Sequence, residues 1–138
     1  MIFIDRVAAF DAPGGRVVCE TTISPRQLFF DGEGVPSHVA IEYMAQTAAA
    51  LVGLAARAKG EAPRPGLLLG TRRLELGLDR FRAGETYRIS AHCAFEDEES
   101  AAFDCDIRDG RGTTVATASL NAYRPPDMKA FLERERTA

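Results

Sequence analysis

Tryptophan is absent, and histidine occurs only at positions 38 and 92. Any reaction that needs an imidazole has two candidates to draw on. Cysteine is scarce as well. Cys19, Cys93 and Cys105 form an odd, scattered set, with neither the even count of a disulfide framework nor the paired spacing of a metal site. They read as small buried thiols of a reducing compartment, and no metal is expected. Lys and Arg gather nowhere beyond RPGLLLGTRR, and the net charge is −3. That leaves no basic face for nucleic acid. MIFIDRVAAFD has no positive flank before its short apolar run, and Asp5 interrupts it, so it is no signal peptide. The longest apolar run inside the chain, Ala48–Ala56, falls short of the roughly 20 residues that span a bilayer. A cytoplasmic location without a membrane span is the expectation.

What is present fits one globular domain over residues 1–138. Hydrophobic residues make up 46% and charged residues 27%, enough apolar surface for a single core. IFIDRVAAF and RVVCETTIS are β-prone, and DAPGGR between them is turn chemistry. A polar loop, PRQLFFDGEGVP, follows. A helix is expected from about His38 to Lys59, with the Ser37 hydroxyl as N-cap and Gly60 as its stop. Four strands follow, in GLLLGTRRLELG, RAGETYRISAHCAFED, SAAFDCDIRD and TTVATASLNAYR. In the second, Tyr87, Ile89, Ala91, Cys93 and Phe95 alternate with more polar residues. PPDMKAFLERERTA reads as a short terminal helix.

The helix is apolar almost all round, which belongs in a core. Seven alanines and Gly53 keep it thin enough for a sheet to approach its backbone. An antiparallel sheet curled around one long helix is the simplest α+β architecture that buries it. Yet His38, Glu42 and Gln46 recur at steps of four and so share one face. One reading is a satisfied trio that ties the helix to its neighbours. The other is a site. A carboxyl deep in an apolar cleft is driven toward its neutral form, while the helix N-terminus favours neutral imidazole. Acid and base then stand side by side, with free backbone N–H groups around Ser37 and His38 for an oxyanion. This suits proton abstraction next to a carbonyl.

GVPSHVAIEYMAQTAAAL resembles the helix motif of the hotdog-fold (3R)-hydroxyacyl-ACP dehydratases, matching it at Pro36, Glu42, Ala45 and Gln46. LLLGTRRLELGLDRFRAGETYRISA and DGRGTTVATASLNAY resemble the blocks that follow in that family. IEYMAQ and LLGTR are most similar to the dehydratase-like subfamily of aryl polyene pigment clusters. The resemblance spans nearly the whole chain. It implies a hotdog fold, at least a dimer (homodimer or heteromer with another hotdog dehydratase), and an acyl chain carried on the phosphopantetheine of acyl carrier protein. The implied reaction eliminates water from a 3-hydroxyacyl thioester to give the trans-2-enoyl thioester, with no cofactor of the enzyme's own. The resemblance places Glu42 at the family's acidic position; the reading of the residues makes His38 the base, Glu42 the acid and Gln46 the orienter of Glu42. Ser37, Phe30, Gly70 and Arg72 are expected to meet substrate.

The family keeps its catalytic His in a Gly-His-Phe-Pro loop before the helix, whereas the loop here is FFDGEGVPS. Three arrangements stay open. His38 takes the base role; Glu42 works with another group; or the chain is a weak or non-catalytic subunit of a heteromeric dehydratase. An acyl-thioester hydrolase shares the fold and is a further reading. Elsewhere, His92 reads as a surface or packing residue of its strand, and Asp31 and Glu33 as turn residues. Arg64, Arg72 and Arg73 are solvated arginines or contacts for an acidic carrier. Phe29, Phe30 and Phe81 line core or tunnel.

Overall fold

A computed structural model describes residues 3–62 and 67–123. Arg64 and the terminal helix expected over 125–138 lie outside them. The expected strands are present: β1 (Arg6–Asp11), β2 (Arg16–Thr22), β4 (Leu67–Leu76), β6 (Thr86–Glu96), β7 (Ser100–Arg108) and β8 (Thr114–Tyr123). They form one antiparallel sheet in the order β1-β2-β6-β7-β8-β4, so β1 and β4 are its borders. Two three-residue strands, β3 (Gly34–Pro36) and β5 (Arg80–Arg82), pair in a small separate sheet that the sequence does not announce.

Alternation builds the inner face. Val17, Cys19 and Thr21 of β2 point inward, as do Tyr87, Ile89 and Ala91 of β6. Ala101, Phe103, Cys105 and Ile107 of β7 and Ala116, Ala118 and Leu120 of β8 complete it. The alternation expected along β6 stops at a register shift between Cys93 and Phe95, which leaves Phe95 exposed and Cys93 only half-buried. The other two cysteines are buried, and all three are free thiols.

The central helix α1 (Ala40–Ala58) lies across this face. A 3-10 turn over Ser37–Val39 leads into it. Ser37 is not a side-chain cap; no capping side-chain bond exists, and the Ser37 amide donates to the Asp79 carbonyl at 3.1 Å. The stop at Gly60 is as expected. Gly60 takes a φ of 72°, its amide reaches the Arg57 carbonyl at 3.0 Å, and the Glu61 amide reaches Ala56 at 2.9 Å. These are the two bonds of a Schellman close.

The helix is not enclosed on all sides. Ala40, Tyr43, Met44, Thr47, Ala48 and Leu51 are buried, a single stripe at steps of three and four. Each of the large ones contributes about 1.5–3 kcal/mol by leaving water. The opposite face, with Ile41, Glu42, Ala45, Gln46 and Ala49, is open or half-open, because one sheet covers only one side. By length and composition Ser37–Ala58 would suffice to cross a bilayer, more than its longest uninterrupted apolar run suggests. Its packing against β2, β6, β7 and β8 makes it the core helix instead.

Candidate active site

The 3-10 turn carries His38 and the first turn of α1 carries Glu42, four residues on, both exposed in the single chain. They share a cleft of about 460 Å³ with Val39, Ile41, Phe3, Leu28 and Phe29. The walls are apolar apart from the imidazole and the carboxylate. Among the described residues, neither side chain has a hydrogen bond or an ion pair. The satisfied trio is therefore not formed, and neither is the deep burial expected for Glu42. Its carboxyl stands at the mouth of a slot, open to water on the side away from the sheet.

Gln46 does different work from that expected. Its Oε1 accepts the Phe3 backbone N–H at 2.7 Å, which holds the N-terminal segment against the helix. The Thr21 hydroxyl donates to the Phe3 carbonyl at 2.9 Å from the other side. Phe3 is thereby fixed as a wall of the cleft, with its ring edge-on to Tyr43 at 5.8 Å. Gln46 shapes the slot through its bond to Phe3.

Two anchors, one of which (Gln27) the sequence did not flag, hold the β2–β3 loop beside this slot. The first is Gln27. Its Oε1 accepts the buried Tyr43 hydroxyl at 2.8 Å, and its Nε2 donates to Thr21 Oγ1 at 2.9 Å and to the Thr22 carbonyl at 3.0 Å. Burial pushes the Tyr43 hydroxyl well above its ordinary pKa, so it stays a donor at any physiological pH. The second is Asp31. Its Oδ1 takes the amides of Glu33 and Gly34, and Arg80 places Nε and Nη2 on Oδ2 at 2.9 and 2.7 Å. The Arg80 hydrogen bond, aided by those amides, draws the Asp31 carboxyl below its ordinary range. Turn chemistry was the correct reading of Asp31; its arginine partner, 49 residues away, has no local signal.

The other expected contacts disperse. Phe30 turns inward and packs against the core. Phe81 is fully buried between Tyr43 and Tyr87. Ser37 adjoins His38, but its amide is occupied and unavailable to an oxyanion. Gly70 and Arg72 are exposed on β4, where the pairing with β8 is irregular, and neither lines the cleft. His92 lies on the outer sheet face near Asp104 and Arg16.

A single helix laid on the inner face of a curled antiparallel sheet is the hotdog fold. The chain belongs to the ApeP-like family: that family's model, described as ApeP dehydratase, matches residues 1–133. The chain is similar to a chain of the dehydratase heterocomplex ApeI:P from Xenorhabdus doucetiae, with 26% identity and a TM-score of 0.82 over 96% of this chain and 88% of that one. A hypothetical thioesterase protein with coenzyme A from Streptococcus pneumoniae TIGR4 shares 14% identity and a TM-score of 0.69, over 87% of this chain and 84% of that one. The E. coli PaaI protein from the phenylacetic acid degradation operon shares 20% identity and a TM-score of 0.64, over 88% of this chain and 79% of that one. These two likenesses are of fold alone. No curated protein matches the sequence.

Proposed function

We propose that the protein acts in dehydration of 3-hydroxyacyl thioesters carried on acyl carrier protein, as part of a complex with a second hotdog subunit. The observation that carries this is the apolar slot that brings together His38 and Glu42, four residues apart, with no hydrogen-bond or ion-pair partner for either among the described residues. In this reading the thioester lies along the slot. The His38 imidazole takes a proton from C2, and the negative charge passes to the thioester oxygen. The C2–C3 double bond forms as the C3–O bond breaks, and the Glu42 carboxyl gives its proton to the departing hydroxyl, which leaves as water. No electron carrier is needed. Phe3, held by Gln46 and Thr21, keeps one wall in place.

The open side of the slot is what motivates the second subunit. A carboxyl in bulk water is a poor proton donor near neutrality; a covering surface would exclude water and favour the proton-carrying form. The ApeI:P heterocomplex is an assembly of this kind, and it supports a heteromer here.

The test is incubation of the purified protein, alone and with a co-purifying hotdog subunit, with 3-hydroxyacyl-carrier protein. Mass spectrometry should show loss of one water from the acyl group. Absence of dehydration in both preparations would remove the proposal. A second reading, a non-catalytic subunit, is favoured by the loop FFDGEGVPS, which has no histidine. It requires that dehydration by the complex survive His38→Ala and Glu42→Gln. Release of free thiol from an acyl thioester without dehydration would instead indicate a hydrolase.

A further inference from the structure

The β2–β3 loop is pinned at Gln27 and again at Asp31. Between these anchors, Phe30 packs inward, while Leu28 and Phe29 project, 45% and 53% exposed. Phe29 has a φ of 71°, and it is the only non-glycine residue with positive φ among those described. A bulky side chain in that region is strained and persists only where the surroundings impose it. The exposed ring recovers little of this by burial. Its ring contact is with Phe3, parallel to within 1° at a centroid distance of 6.4 Å.

The position of that ring pair gives the strain a use. Phe3, Leu28 and Phe29 line the 460 Å³ slot that holds His38 and Glu42. The same three residues line a second hollow of about 680 Å³, whose other walls are Asp5, Thr22, Ser24, Arg26 and Gln27. The slot is apolar apart from His38 and Glu42, whereas the hollow mixes the same apolar rings with the polar and charged side chains of Asp5, Thr22, Ser24, Arg26 and Gln27, so the Phe29 ring stands where the lining changes character. A chain of methylenes is better accommodated on the slot side of the ring, because beyond it polar groups would have to give up water.

We infer that Phe29 determines the length of acyl chain the site accepts. This rests on the reading of the slot as a thioester site. With the thioester beside His38 and Glu42, the acyl chain runs along Ile41 and Phe3 and ends against the Phe29 ring. Longer chains must displace the ring or enter the hollow, where Asp5 and Arg26 add charge to the walls. Removing the ring joins slot and hollow into one trough.

Full-length protein, with its hotdog partner where one co-purifies, is assayed on straight-chain 3-hydroxyacyl pantetheine thioesters of increasing length. Binding of the corresponding unreactive pantetheine amides is followed by calorimetry. Phe29→Ala removes the ring and keeps the strained φ; Phe29→Gly removes both. In both variants the long-to-short ratio of affinity and of kcat/KM should rise about tenfold, the scale of a methylene-sized change in a pocket. An unchanged ratio in the alanine variant, with acyl binding intact, overturns the assignment of Phe29 and leaves the site standing. A shift in the glycine variant alone traces the effect to backbone strain and also overturns it. Failure of the wild-type protein to bind any acyl pantetheine overturns the thioester site together with this inference.

Discussion

The Tyr43 hydroxyl of the central helix donates to Gln27 Oε1 of the β2–β3 loop at 2.8 Å, across 16 residues of sequence. It is the bond that couples the core to the loop beside the slot. Tyr43→Phe keeps the ring and its edge contacts with Phe3 and Phe81 but leaves Gln27 short of a donor. The variant should lose about 1–2 kcal/mol. Urea unfolding should show this as a lower midpoint with an unchanged slope.

Alkali should weaken the fold through the same chemistry. Burial raises the Tyr87 hydroxyl to about 12, and raises Tyr43 as well. Unfolded tyrosine ionises near 10. The folded state therefore holds protons that the unfolded chain releases. Stability from these groups is complete below about pH 10 and is lost as pH rises toward about 12. A denaturation series over that range should fall more steeply for the wild type than for Tyr87→Phe.

Glu42 and His38 are exposed and have no partner among the described residues, so their removal should leave stability within about 0.5 kcal/mol. Dehydration should respond differently. Glu42→Gln and His38→Ala should each slow turnover by about 10²–10⁴-fold, the usual contribution of a positioned acid or base. Thermal melts and turnover measured on one preparation separate the two effects. Full turnover in both variants would assign the chemistry to the partner subunit.

Gly34 and Gly53 should respond in opposite directions to alanine. A Cβ at Gly34 would sit 1.9 Å from the Phe81 carbonyl oxygen, where β3 and β5 pair. Gly34→Ala should part those strands and cost about 1–3 kcal/mol. Gly53 has nothing within 4 Å of a new Cβ, and it lies inside α1. Gly53→Ala should add about 0.5–1 kcal/mol through helix propensity. Calorimetric melting of both variants checks the pair of signs.

The cysteines should label in order. Burial raises the Cys105 thiol to about 12 and raises Cys19 too, which keeps both in the unreactive thiol form. Cys93 is half-exposed beside the register shift in β6. Brief iodoacetamide treatment of the folded protein near pH 8 should give one adduct, at Cys93 by peptide mass mapping.

Long elements were legible because period and punctuation agreed. Gly60 marked the helix end, and Tyr87, Ile89 and Ala91 alternated as a half-buried strand does. β3 and β5 were hidden because three residues carry no period; they are held by a close approach at Gly34, which only tertiary structure reveals. The helix misled in one respect. Alanine on all sides suggested enclosure, but a single chain supplies cover for one face, so Glu42 and Gln46 lie at or near the surface. His38 and Glu42 meet in one cleft, while Gln46 is not among its lining residues. Gln46 is committed to the Phe3 backbone, a partner 43 residues away that no local pattern indicates. Phe29 reads as a tunnel or core candidate; its positive φ, between the Gln27 and Asp31 anchors, has no local signal.

The sheet's two borders are unequal. Both have slipped registers against their neighbours, but β1 has six residues, whereas β4 runs for ten and shows partly exposed Leu74 and Leu76 near its end. Growth by strand addition is thus harder on the short flank and easier on the long one. Two copies or relatives joined through β4 would leave a β1-type flank at either outer limit, so such stacking terminates as a closed pair and does not propagate into a fibre.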